Sequence, residues 1–155
     1  MPCRLTPPKA GLLFGEVNLM FTIFEHTADL GVRVEAESLA DLFADAARGL
    51  FTVIAGDLEQ VRPVVTETIT VPGSDPTWLL FDFLGELHAA FELRRLLVRE
   101  CAVTITNDGL EAVLCGERYE PARHTLAHEV KAITHHELAV ERGPDRCTTT
   151  FIVDI

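Results

Sequence analysis

Eight residues, Phe24-Glu25-His26-Thr27-Ala28-Asp29-Leu30-Gly31, bring carboxylates, an imidazole, a hydroxyl and a glycine into one short stretch. They lie where one apolar run, Met20 to Phe24, ends and an alternating run, Leu30 to Val34, begins. A connection between strands is a common place for binding groups, because the rigid strands fix where its side chains go. Two readings stand side by side. The polar groups serve a binding site, or the stretch is a turn in which Asp29 or Thr27 hydrogen-bonds to nearby backbone.

The C-terminal run, Cys147 to Ile155, reads as a strand that ends without a polar tail. Alternation puts Phe151, Val153 and Ile155 on one face and Thr150, Ile152 and Asp154 on the other. The Asp154 carboxylate and the α-carboxylate of Ile155 are then neighbours, and two anions at a strand end call for solvent or a cation. If Asp29 lies close by, three carboxylates converge. Such a set is all oxygen and suits Ca²⁺, Mg²⁺ or Mn²⁺ rather than a soft metal. Shared ligation at 2.0–2.6 Å requires the three carboxylates to lie within about 5–6 Å of one another.

Other candidates are weaker. His124 and His128, followed by His135 and His136, invite a zinc reading, but residues 126–141 read as extended chain. There, positions i and i+4 stand roughly 13 Å apart, and four-ligand zinc geometry is missing. Lys131, in Val130-Lys131-Ala132-Ile133-Thr134, reads by position as a surface lysine. Asp82 and Glu86, one helical turn apart, read as a solvated helix face. No G-x-S-x-G, P-loop or G-x-G-x-x-G pattern is present, so the best-known nucleophile and nucleotide signatures are absent.

The elements that must position these residues follow from periodicity. Residues 1–19 contain three prolines and two glycines (Pro2, Pro7, Pro8, Gly11 and Gly15), lack periodicity and read as a loose extension, with Met20 as an alternative start. A single domain then spans 20–155. Met20 to Glu25 and Leu30 to Glu37 read as strands. Ser38 and Asp41 form a capping-box-like start to a helix whose stripe is Leu39, Leu42, Phe43, Ala46, Ala47, Leu50, Phe51 and Ile54. Gly56 stops it. Glu59 to Val71 alternates as a strand. Asp75 and Pro76 open a second helix, expected to reach about Leu97 and to be the more deeply buried of the two. Two hairpins follow: Val98–Thr106 with Leu110–Gly116 around Asn107-Asp108-Gly109, and His128–Glu141 with Arg146–Ile155. Segregated helices and strands indicate an α+β fold, with a mainly antiparallel (mixed) sheet and both helices on one face.

Composition bounds the function. At 155 residues the chain fits one domain. Its 48% apolar and 24% charged residues suit a soluble globular protein. Cys3, Cys101, Cys115 and Cys147 form no C-x-x-C pair and read as free, buried thiols of a reducing cytoplasm. No apolar run is long enough for a membrane span, and no secretory signal is visible. A net charge of −11 repels phosphate backbones, which disfavours tight, direct nucleic-acid binding and favours a basic protein partner or a cation.

Four segments together resemble the archease family, the small activators of a GTP-dependent RNA ligase. They are Phe24–Gly31, the helix from Ser38 to Ile54, Val130–His136, and Phe151–Ile155. The resemblance covers the chain from about Met20 onward. It implies a compact α+β domain with a metal site formed by Asp29, Asp154 and Ile155. It also implies a functional lysine, Lys131, and His26 joins it as a candidate for partner contact. The family is not known as an enzyme; it promotes guanylylation and multiple turnover of the ligase in tRNA splicing and RNA repair. Residues 1–19 precede the family's usual start, and His135-His136 stands where an aromatic residue beside the histidine is expected. The alternative is a stand-alone, divalent-metal-dependent hydrolase built on the Asp29 and Asp154 carboxylates, with Lys131 stabilising developing charge.

Overall fold

The computed structural model describes residues 21–155. The expected N-terminal extension, 1–19, and the alternative start at Met20 lie outside them. The described chain runs β1 (Phe21–His26), β2 (Asp29–Ala36), α1 (Leu39–Ala55), β3 (Val65–Pro72), α2 (Pro76–Arg94), β4 (Leu96–Thr106), β5 (Gly109–Arg118), β6 (Ala132–Arg142) and β7 (Cys147–Asp154). A short 3-10 turn occupies Leu58–Gln60.

The α+β class holds, and every strand pairing among the described residues is antiparallel. The strands divide into two sheets, however, ordered β1-β2-β7-β6 and β3-β5-β4. The helices are shared between them. α1 packs on β2 and β1 of the first sheet and on β4 of the second, and α2 touches β6 as well as β3, β4 and β5. The physical reason lies in α1. Eleven of its 17 residues are buried, against seven of 19 in α2. Gly49, Val53 and Ala55 extend its apolar stripe to a second face, so it can be covered on both sides. α1, not α2, is the more deeply buried helix. Phe43 of α1 stacks on Phe83 of α2 with ring centroids 5.9 Å apart, which joins the helices inside the core.

Local signals set most boundaries. The Ser38 hydroxyl accepts the Asp41 N–H at 3.1 Å, and the Asp75 carboxylate accepts the Thr77 N–H at 3.1 Å. α2 ends three residues before the expected Leu97. Arg95 turns left-handed (φ 56°) and Leu96, Leu97 and Val98 enter β4 fully buried. The strand expected from Glu59 begins only at Val65, because the Asp57 carboxylate caps the 3-10 turn through the Glu59 N–H and Pro63 has no N–H for a ladder. The strand expected from His128 begins at Ala132. Upstream, backbone groups are satisfied elsewhere: the Ala127 N–H donates to the Ile54 carbonyl, and the Gln60 amide bridges both backbone groups of Thr125.

The cysteine expectation fails at one position. Cys101 and Cys147 are free thiols, whereas Cys115, fully buried in β5, is disulfide-bonded. Among the described residues no helix is long and apolar enough to cross a membrane.

Candidate metal centre

The site begins at the β1–β2 hairpin. His26 pairs with Asp29 across a two-residue turn of Thr27 and Ala28. Thr27 has φ 55°, a region that β-branched residues rarely occupy. The hairpin therefore carries backbone strain directly beside the two residues singled out for chemistry.

The next link is the β2–β7 ladder, which pairs Leu30 with Val153 and Val32 with Phe151. The ladder ends at Leu30 and Val153; continued by one residue, its register would set Asp29 opposite Asp154. Directly opposed residues of an antiparallel pair hold their Cβ atoms about 4.5–5.5 Å apart. Both aspartates are half-buried. Leu30, Val32, Phe151 and Val153 face the core; alternation turns Asp29 and Asp154 to the opposite, outer face.

On the far side of β7, Asp154 pairs with Ala132 of β6, and the Lys131 N–H donates to the Asp154 carbonyl at 2.7 Å. The Lys131 side chain is exposed. Ile155 follows, half-buried and packed against the core, which anchors the residue that carries the terminal carboxylate. The structure thus brings Asp29, Asp154, Ile155, His26 and the Lys131 backbone to one end of one sheet.

The outer face nearby is partly roofed. Gly31 leaves room for the Phe24 ring, which occupies the space a Cβ would take. β6 then departs from its register: Thr134 pairs with Ile152 and Ala139 with Thr150, so His135, His136, Glu137 and Leu138 stand opposite Phe151 alone. Glu137 takes φ 58° in this bulge. Among the described residues β1 and β6 are the two edges of the sheet, about 14 Å apart at ~4.8 Å per strand. Yet the His26 and His136 ring centroids are 6.4 Å apart. Both rings therefore lean across the strands between them. Nearby in the sheet, His26 Nδ1 and Thr134 Oγ1 are buried with no hydrogen-bond partner among the described residues.

The donor set fits a hard cation. Asp29, Asp154 and the terminal carboxylate of Ile155 offer only oxygen, and no thiol joins them. No group of three or more His, Cys, Asp or Glu side chains is gathered for a metal among the described residues. The set expected from the sequence contains only two such side chains, and its third donor would be the Ile155 α-carboxylate. The four zinc candidates do not converge. His124 is fully enclosed and bonded to Glu117, His128 is exposed, His135 lies against Trp78 and Phe81, and His136 against His26.

Two features escaped sequence reasoning. His88 of α2 donates from Nε2 to the Val130 carbonyl at 2.8 Å, which fixes the residue before Lys131. Its only sequence signal is its position beside the buried Leu84–Leu87–Phe91 stripe. The second is a buried carboxylate, Glu117 of β5. It accepts from the Arg62 backbone N–H (3.0 Å), from the Arg62 Nε (2.9 Å), from Arg123 Nη1 and from His124 Nε2 (2.8 Å). Burial alone would raise its pKa; these hydrogen bonds outweigh burial and hold it well below the usual carboxylate range. The Glu120 N–H donates to His124 Nδ1 at 3.0 Å, so the ring proton of this histidine sits on Nε2. The cluster pins the loop that leads to Lys131.

Comparison with known proteins places this geometry in context. The model of the archease protein family (MTH1598/TM1083) matches residues 21–155. "Protein archease" of Methanopyrus kandleri is 38% identical over 135 residues, covering 84% of this chain and 96% of that protein. "Protein archease" of Thermococcus kodakarensis is 36% identical over 137 residues, covering 85% and 96%. The solution structure of Methanobacterium thermoautotrophicum protein 1598 superposes with a TM-score of 0.73 over 88% of this chain and 99% of that one. At 24% identity this likeness shows the shared fold.

Proposed function

The chain belongs to the archease family, and on that premise we propose that it is an accessory protein, not an enzyme, that activates a GTP- and metal-dependent RNA ligase. It acts in the cytoplasm, promoting guanylylation and multiple turnover of the ligase in tRNA splicing and RNA repair. Asp29, Asp154 and the Ile155 carboxylate hold a divalent ion, Ca²⁺, Mg²⁺ or Mn²⁺. When bound, the ion supplies positive charge at an otherwise anionic strand end.

The observation that supports this reading is the register of β2 on β7, which pairs Leu30 with Val153 and, continued by one residue, would set Asp29 opposite Asp154 on one face. Around that pair, the protein's own residues do the positioning. The Lys131 N–H fixes the last paired residue of β7, and the burial of Ile155 restrains the terminal carboxylate. The exposed Lys131 ammonium is free to meet a phosphate or an acidic group of the partner. His26, its Nδ1 unpaired, is a second contact candidate.

Multiple-turnover RNA ligation by a cognate ligase, with and without this protein, tests the reading. Stimulation is expected, and it should be lost on Asp29→Ala and when residues are added after Ile155. Equal turnover without the protein would remove the proposed role. Undiminished stimulation by the extended chain would remove the terminal carboxylate from the site. RNA hydrolysis without any ligase would favour the stand-alone hydrolase instead.

A further inference from the structure

The exposed face of α2 plays no part in the carboxylate centre, yet it is not an ordinary solvated face. Trp78, the only tryptophan of the chain, is 56% exposed there. Phe81 meets it edge-on with ring centroids 6.0 Å apart, and His135 of the β6 bulge approaches both, at 6.3 and 5.8 Å. Phe81 also lines a cavity of about 320 Å³ between α2 and Thr70–Pro72 at the end of β3. Asp82, Gly85 and Glu86 form the rest of its helical wall. A Cβ at Gly85 would meet nothing within 4 Å, so the floor is open.

Three properties define what fits. Among the described residues β3 is an edge strand, paired with β5 alone, so its outer side can offer backbone groups to an extended chain. Asp82 and Glu86 are exposed and make no ion pair among the described residues, whereas Glu67, farther along β3, is already met by Arg94 and Arg118. The aromatic rings continue directly into the acidic wall through Phe81. Two free carboxylates beside exposed ring faces complement a guanidinium, which stacks on rings and bonds carboxylates through one planar fork. A phosphate backbone would meet those same carboxylates and a net charge of −11.

We propose that the groove between the β3 edge and α2 docks an extended, arginine-bearing segment of a protein partner. The segment lies along β3, one arginine enters between Asp82 and Glu86, and its stem or a neighbouring side chain packs on Trp78 and Phe81. The surface contains none of the proposed metal ligands, so it stands or falls apart from the metal centre.

Trp78 makes the test direct, because its fluorescence reports on this site alone. The full chain is titrated with a short peptide carrying arginine at alternate positions, with its glutamate analogue, and with a single-stranded RNA oligonucleotide. The expected result is a saturable, salt-sensitive change in Trp78 emission with the arginine peptide only, weakened at least about tenfold in Asp82→Asn/Glu86→Gln. Those exposed, near-isosteric changes leave the fold intact, which an unchanged unfolding transition would document. No saturable change with the arginine peptide, equal affinity in the double variant, or stronger binding of RNA each overturns the proposal. So does an emission change that follows protein concentration alone, which would make the face a contact between two copies of this chain.

Discussion

His88 of α2 and Val130, in the approach to β6, are joined by a 2.8 Å hydrogen bond between ring Nε2 and main-chain carbonyl. Val130 is itself buried. The next residue's N–H reaches the Asp154 carbonyl. A side chain on a helix thus helps set where the last strand ends and where Lys131 emerges.

Removing that ring should loosen the approach to β6 without unfolding the core. His88→Ala leaves the Val130 carbonyl unpaired and is expected to cost about 1–2 kcal/mol. The diagnostic readout is amide exchange. The Lys131 and Ala132 amides should lose protection in the variant while those of β4 and β5 keep theirs. Uniform loss across both sheets would mean that the bond stabilises the fold as a whole and has no local role.

Divalent ions should stabilise the native chain. A ligand that binds only the folded state adds about 2.7 kcal/mol at a hundred times its dissociation constant. Thermal unfolding in Ca²⁺, Mg²⁺ and Mn²⁺ should therefore show a rise for native protein and none for Asp29→Asn or Asp154→Asn. In metal-free buffer the variants should be equal to native or slightly more stable, since each removes one of two facing carboxylates. The same metal-induced rise in the variants would place the ion elsewhere.

How much of this was legible before folding depends on range. The Ser38–Asp41 cap and the Asn107-Asp108-Gly109 turn are local, and both stand where their residue types put them. The residue types of the proposed metal centre stand in the sequence too, as does the outward phase of Asp154. The pairing of β2 with β7 does not, because no local pattern encodes which strands meet across more than a hundred residues. The second sheet was hidden for a related reason. A helix that buries two faces differs from one that buries a single face by small residues such as Gly49 and Ala55, which carry little periodic signal. The Glu117 cluster gathers Arg62, Arg123 and His124 from separate segments, so only tertiary packing reveals it.

That cluster should make stability fall in acid. Folding lowers the Glu117 pKa from its ordinary 4.5. Its contribution is therefore fully present above about 4.5 and is lost as pH falls toward the folded-state value. Glu117→Gln keeps the shape but deprives two guanidiniums of their carboxylate. Because Arg62 and Arg123 can still reach water, the cost at pH 7 should be about 2–3 kcal/mol, below the range for fully buried pairs. Urea unfolding at pH 7 and pH 3 should show the gap between native and variant narrowing in acid. A constant gap would assign the loss to packing alone.

Asp45 should act with the opposite sign. It lies inside α1, 7% exposed, and burial raises its pKa from 3.8 to about 6, with Arg48 partly opposing and Asp41 adding to the rise. The folded state thus binds a proton over a range where the unfolded chain has released it. By linkage, this group's contribution to stability falls as pH rises from about 4 to 6 and stays low above that. The difference between the two pKa values corresponds to about 3 kcal/mol at most, at 1.36 kcal/mol per unit. Asp45→Asn removes the charge while preserving size and is expected to stabilise the chain by about 1–3 kcal/mol at pH 7. At pH 4, where the native carboxyl is already protonated in the folded state, the gain should shrink toward zero. Paired urea titrations of native and Asp45→Asn protein across that interval measure it. A variant less stable than native at pH 7 would mean that the ionised carboxylate is held by α1's surroundings and is not merely tolerated there.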